Sequence, residues 1–124
     1  MNFRRNSAAA LRFAERRQRE DEAPRLHAVA PDLLSLRLEV EEQGASAVPK
    51  YTRHIMIDTA PALFFLVCGD PRCVDGGHDV TPTVMRALRS RSAVFDGTDE
   101  CPGSVGLSAC PRVVHFAAFA GYRA

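Results

Sequence analysis

The side chains with the most specific chemistry in this sequence are its four cysteines, which all lie in the second half of the chain. Each stands beside residues that favour a turn: Gly69-Asp70-Pro71 separates the first two, and Pro102-Gly103 and Pro111 follow the others. A tetrahedral metal with thiolate ligands needs two such pairs, each held by a tight loop. The pattern therefore predicts one structural zinc ion bound by Cys68, Cys73, Cys101 and Cys110.

The spacing leaves three other interpretations open. The first pair, C-x4-C, is at the long end of the usual spacing for a metal-binding loop, and the second, C-x8-C, is looser than a standard one. The same cysteines could form two disulfides, pack as inert thiols, or include one catalytic thiol. Inert thiols are expected within strands rather than at four turns, and the sequence contains no C-x2-C redox motif.

His78 complicates the number of ligands, because it follows Cys73 by five residues across the flexible pair Gly76-Gly77. If it replaced a cysteine, the site would be Cys3His and still structural; three protein ligands with a bound water would indicate a hydrolase. We expect His78 instead to bond to backbone near the following helix, or to a ligand sulfur from outside the ligand set.

The segment CGDPRCVDGGHDVT, with Cys101-Pro102-Gly103 further on, resembles the zinc-ribbon and treble-clef class of small metal domains. The resemblance covers residues 62–122, although the paired C-x2-C loops of that class are missing. The layout is also similar to small bacterial four-cysteine proteins with no assigned function. The resemblance implies that the metal holds the fold and that the surface binds protein or nucleic acid.

The elements that must position these residues are read from hydrophobic periodicity. Alternation places Leu34, Leu36, Leu38 and Val40 on one face of a strand, a second strand is expected over residues 51–58, and residues 62–68 are apolar enough for a central strand. Thr81-Pro82 predicts a capped helix that buries Val84, Met85 and Leu88. A short strand is expected over residues 92–96 and a long final strand over residues 113–122.

The fold class expected is α+β: an antiparallel sheet of four to five strands with one packed helix and the zinc site at one sheet end. Residues 7–22 predict a further helix whose second half is entirely polar, so it has little to bury and should project. The predicted organisation is an N-terminal charged helical arm, 1–24, and a single zinc-stabilised domain, 25–124.

The charge balance and the length of the apolar runs narrow the classes of function that we expect. The net charge of +1 gives no overall attraction to nucleic acid, and no apolar run approaches the roughly 20 residues of a membrane helix. We expect a cytoplasmic, non-enzymatic zinc-binding adaptor that binds a protein, or a second copy of itself, through the N-terminal helix. The alternatives are a nucleic-acid-binding protein that uses the helix face Arg86, Arg89 and Arg91, and a hydrolase with an open zinc site.

Overall fold

The computed structural model of the protein describes residues 14–44 and 50–124. Three helices occur in this part of the chain: residues 14–22 (α1), Leu26–Val29 (α2) and Thr81–Arg89 (α3). The strands are β1 Leu33–Gln43, β2 Lys50–His54, β3 Phe65–Leu66, β4 His78–Asp79, β5 Val94–Glu100, β6 Ser104–Val105, β7 Ser108–Ala109 and β8 Val113–Tyr122. None of the helices described is long and apolar enough to cross a membrane.

A four-stranded antiparallel sheet with the order β2-β1-β8-β5 forms the framework, which confirms the α+β class. The long strands β1 and β8 pair along nearly their whole length, with Leu38 opposite Ala118 and Val40 opposite Phe116. These four side chains are buried and belong to one apolar core. Two small antiparallel pairs, β3-β4 and β6-β7, lie outside this sheet.

The predicted inner face of β1 is correct from Leu36 onward but wrong at Leu34, which is 56% exposed. The pairing of β1 with β8 shifts register between Leu33 and Ser35. An extra residue at such a bulge moves the following side chains to the other face. Leu33 is therefore buried in place of Leu34, and at the far end of β1 the buried position falls on Glu42.

Two strand predictions need correction. Residues 62–68 do not form a central strand, because only Phe65–Leu66 is strand and it pairs with His78–Asp79 in a separate small sheet. The strand expected over residues 51–58 is Lys50–His54, and all five of its residues are exposed. Residues 62–68 are apolar and residues 51–58 alternate in polarity, as strands would. Each segment nevertheless has too few backbone hydrogen-bond partners to form a longer strand.

The helix α3 packs its predicted apolar stripe, Val84, Met85 and Leu88, into the core. The predicted cap is wrong: Thr81 is the first helical residue, and its hydroxyl oxygen accepts a 2.7 Å hydrogen bond from the backbone N–H of Phe64. A side-chain oxygen of Asp79 accepts the N–H of Thr81 instead, at 3.1 Å. This arrangement ties the start of α3 to the segment that leads into the first cysteine.

The helix α1 buries little, as its polar sequence predicts: among residues 14–22 every side chain is exposed except the half-buried Arg16. The guanidinium of Arg16 lies 4.5 Å from the ring centre of Phe65, and Arg19 reaches Asp79 at 3.5 Å. The helix therefore contacts the β3-β4 pair through charged side chains. Residues 7–13 of the predicted helix lie outside the described residues.

Candidate metal centre

The four cysteine sulfurs come together into one cluster, with every sulfur within 4.8 Å of the others. The sequence pairs 68/73 and 101/110 are brought to the end of the large sheet where β5 ends and β8 begins. All four cysteines are free thiols in this structure. The group Cys68, Cys73, Cys101 and Cys110 is the only set of three or more potential metal ligands found within the described residues.

The sulfur separations fit a tetrahedral thiolate site. Cys68 Sγ lies 3.8 Å from Cys110 Sγ, and Cys73 Sγ lies 3.6 Å from Cys101 Sγ. Zinc–thiolate bonds of about 2.3 Å in a tetrahedron place their sulfurs about 3.8 Å apart. The two measured distances thus leave space at the centre for one ion of this size, and they are far longer than the roughly 2.05 Å of a disulfide.

The first pair is held by a tight turn over residues 70–73. Asp70 accepts the N–H of Arg72 on its side chain at 2.9 Å, and its backbone oxygen accepts the N–H of Cys73 at 3.0 Å. The same carboxylate binds the Arg72 guanidinium, which together with these bonds holds the pKa of Asp70 below its usual range. The acidic residue therefore shapes a turn, as its Gly/Pro-rich setting predicts, and Arg72 is engaged within it.

The second pair is held by the β6-β7 hairpin, which fills the eight residues between the cysteines. The N–H of Cys110 donates to Gly103 O at 2.9 Å, and the N–H of Cys101 donates to Arg112 O at 2.9 Å. Val74 and Ser104 exchange two backbone hydrogen bonds of 2.8 and 3.0 Å. These last bonds join the first cysteine loop directly to the hairpin.

Two glycines allow the backbone to approach the sulfurs. A Cβ atom on Gly76 would lie 2.7 Å from Cys101 Sγ and closer still to Cys73 Sγ. A Cβ atom on Gly103 would lie 2.7 Å from Val74 O and would also collide with Cys73 Sγ. Any larger residue at either position would push the thiols out of this arrangement.

A buried ion pair that the sequence analysis missed supports both loops. Glu42 is 3% exposed and Arg112 is 8% exposed, and the Arg112 guanidinium donates to a Glu42 oxygen at 3.0 Å. Both oxygens of Glu42 also accept the N–H of Gly69, at 3.0 and 2.9 Å. Since Gly69 follows Cys68, and Arg112 lies two residues after Cys110, this single carboxylate joins the two halves of the cluster.

The surroundings of the cluster shift the pKa values of its thiols. Burial raises the pKa of Cys68 to about 11, and burial with neighbouring thiols raises that of Cys73 still further. For Cys101 burial acts in the same direction, but the N–H groups of Gly77 and Gly103, together with the thiols of Cys73 and Cys110, outweigh it and lower the pKa. The Gly77 N–H lies 3.4 Å from that sulfur. Such donors stabilise a thiolate, which is the form that binds metal.

His78 is not one of the clustered ligands, in agreement with the expectation that it lies outside the ligand set. It is fully buried, and its Nδ1 atom pairs with Asp99 Oδ2 at 3.0 Å. The expected partner, backbone or sulfur, is therefore wrong: the partner is a carboxylate on β5, two residues before Cys101. The contact fastens the strand β4 to the strand β5, which leads directly into the third cysteine.

The predicted helix face Arg86, Arg89 and Arg91 is divided in the structure, because α3 ends at Arg89 and Arg91 lies beyond its end. Arg86 and Arg89 are exposed, but Arg91 binds Asp32 at 2.5 Å and the backbone oxygen of Arg123 at 2.8 Å. Arg91 also stacks over the ring of Tyr122. Only two of the three arginines thus remain as a common surface for phosphate.

The chain was compared with family models, with curated proteins and with solved structures, and none of the three comparisons gave a match.

Proposed function

We propose that Cys68, Cys73, Cys101 and Cys110 bind one zinc ion, and that this ion stabilises a non-enzymatic interaction domain. The observation that carries the proposal is the convergence of four thiol sulfurs to within 4.8 Å from two loops distant in sequence. Free thiols packed this closely gain little from one another, whereas a tetrahedral S4 set is the ligand set of zinc or iron–sulfur sites. The resemblance to zinc-ribbon and treble-clef domains favours zinc.

The ligand set favours a structural role for the ion. Catalytic zinc sites keep one coordination position for water or substrate, whereas four thiolates fill a tetrahedron. The two histidines that follow a cysteine by five residues have other partners, His78 with Asp99 and His115 with Thr98. A hydrolase would therefore have to displace one of four protein ligands before it could activate water.

The surface supports a binding role. The edge strand β2 has five exposed residues, and an exposed strand edge offers backbone groups to an added strand. The adjacent outer face of the sheet carries Arg37 stacked 4.3 Å from the ring centre of Phe119, with Val94 67% exposed beside them. An aromatic ring with an arginine is a common anchor in protein interfaces. We propose a protein partner, or a second copy of the chain, on this outer face of the sheet and at its β2 edge.

The metal is tested by elemental analysis of the full chain purified without added metal. We expect about one zinc per chain, and much less in Cys68→Ser and Cys101→Ser, since structural zinc sites contribute on the order of 10–16 kcal/mol. Ser108→Ala, an exposed change on the same hairpin, should keep the ion. Iron in place of zinc, or a wild-type chain without metal, would contradict the proposal.

The partner class is tested with random-sequence duplex DNA and single-stranded RNA as probes. Phosphate contacts make affinity fall steeply with salt. We expect no saturable binding of either probe at about 0.15 M salt, a condition that screens exposed charges beyond about 8 Å. Tight binding that is lost in Arg86→Ala and Arg89→Ala, but kept in Arg17→Ala, would instead establish the nucleic-acid function.

A further inference from the structure

The four sulfurs differ in their access to solvent. Cys101 and Cys110 are buried, with only 6% and 7% of their surface exposed, whereas Cys68 and Cys73 are half-buried. The two half-buried cysteines line a cleft of about 150 Å³ together with Arg16. A small reagent in this cleft therefore meets one thiol pair before the other.

Each accessible cysteine makes its sulfur contact with a buried cysteine that flanks the hairpin, inside a cluster whose four sulfurs all lie within 4.8 Å of one another. The close contacts are Cys68 with Cys110, at 3.8 Å, and Cys73 with Cys101, at 3.6 Å. Both contacts run between the two loops. Each pair would reach disulfide length by an approach of less than about 2 Å. The arrangement is that of two attacking thiols, each with a resolving thiol already in place.

We propose that the cluster is an oxidation-sensitive zinc site: a hydroperoxide in the cleft converts the cysteines to the disulfides Cys68–Cys110 and Cys73–Cys101 and releases the ion. The release of zinc rests on the function proposed above. The pairing of the disulfides rests on the sulfur contacts alone.

The chemistry balances with hydrogen peroxide as the oxidant. The accessible cysteine, which would be a thiolate as a zinc ligand, attacks one peroxide oxygen, the O–O bond breaks, and with one proton the products are a sulfenic acid and water. The neighbouring thiolate then attacks the sulfenic sulfur, the S–S bond forms, and hydroxide leaves as water after protonation. Each pair gives two electrons to one peroxide. The first disulfide leaves zinc with two of its four thiolates, and the second leaves it with none.

The helix α1 partly covers this entrance. The Arg16 side chain lies over Phe65 and forms part of the cleft wall. Removal of this side chain should widen the entrance without touching a sulfur. The neighbouring Arg17 is exposed and does not line the cleft, so it provides a matched control on the same helix.

The test uses the zinc-loaded full chain and titrates it with hydrogen peroxide in the presence of a chromogenic zinc chelator. We expect release of one zinc per chain by two equivalents of peroxide, with recovery after a dithiol reductant and zinc are added. Rapid alkylation and peptide mass spectrometry should identify Cys68–Cys110 and Cys73–Cys101. Release should be faster in Arg16→Ala than in wild type and unchanged in Arg17→Ala.

Three results would overturn the proposal: zinc that stays bound after two equivalents of peroxide have been consumed, disulfides within the loops as Cys68–Cys73 and Cys101–Cys110, or oxidation that stops at sulfinic acids. A chain that binds no zinc at all would contradict the function proposed above. In that case the metal-free chain still tests the pairing, because the same two cross-loop disulfides are expected from it.

Discussion

At the scale of single residues, Glu42 does the most to bring the two cysteine loops together. It occupies a buried position on β1, where Leu36, Leu38 and Val40 precede it on the same face. Its carboxylate accepts the Arg112 guanidinium and the N–H of Gly69, so its charge is paired and hydrogen-bonded. A buried carboxylate at this place costs stability unless these partners are present. Its role is therefore to fix the position of the loops, more than to add net stability.

Glu42→Ala should lower the free energy of unfolding of the zinc-loaded protein by about 3–5 kcal/mol, because Arg112 would be left buried without a counter-charge. The same variant should hold zinc less tightly, as the loops after Cys68 and Cys110 lose their common anchor. Denaturant unfolding and competition with a chelator measure the two effects.

The control for this prediction is Glu41→Ala, on the neighbouring residue of the same strand. Glu41 is half-buried, and its carboxylate pairs with the exposed Lys50 at 4.0 Å. Exposed ion pairs contribute about 0–1 kcal/mol, so both measurements should stay close to wild type. Equal losses in the two variants would show that the charge of β1, and not the buried ion pair, supports the site.

At the scale of elements, the cluster is assembled by turns and short strand pairs. The pairs β3-β4 and β6-β7 have two residues in each strand, and such small ladders are marginal on their own in water. The close approach of backbone at Gly76 and Gly103 packs these turns around the sulfurs. The geometry of the site therefore depends on the absence of a Cβ atom at two positions outside the ligand set.

Gly76→Ala should weaken zinc binding although all four cysteines remain, because the added carbon would collide with the sulfurs of Cys73 and Cys101. We expect a loss of about 10–100-fold in affinity, the range typical of changes next to the ligands of a metal site. The affinity is measured by competition with a chelator of known strength.

Gly106→Asn is the matched control, on the turn of the hairpin between Cys101 and Cys110. No described atom lies within 4 Å of its missing Cβ, and asparagine tolerates the backbone angle of φ +61° found there. This variant should bind zinc as wild type does. Unchanged affinity in Gly76→Ala would mean that the sulfurs have room that the structure does not give them.

The elements differ in how well the sequence predicts them, for physical reasons. The local hydrophobic pattern predicts the strand β8 and the apolar stripe of α3. The turn residues beside the four cysteines predict that these cysteines form one site. The strand expected at residues 62–68 fails because a strand needs a partner, and Phe65–Leu66 finds only His78–Asp79. The contact between Glu42 and Arg112 joins residues 70 positions apart, and no local pattern contains it.

At the scale of the whole molecule, the chain combines a self-sufficient sheet with an end that has little regular structure. The strands β1 and β8 share ten paired positions and carry the centre of the core. The segments around the cysteines are held by two short strand pairs, by the bridge between Val74 and Ser104, and by one buried ion pair. A structural metal contributes folding free energy directly to the segments that supply its ligands. We infer that the ion fastens this end to the sheet.

X-ray absorption spectroscopy at the zinc edge, on the full chain purified without added metal, tests the central claim most directly. The account predicts four sulfur scatterers at about 2.3 Å and no nitrogen or oxygen in the coordination shell. Serine in place of Cys110 should replace one sulfur by a lighter atom or abolish the signal. A shell with three sulfurs and a nitrogen or oxygen in the wild-type protein would contradict a closed four-thiolate site, as would the absence of zinc.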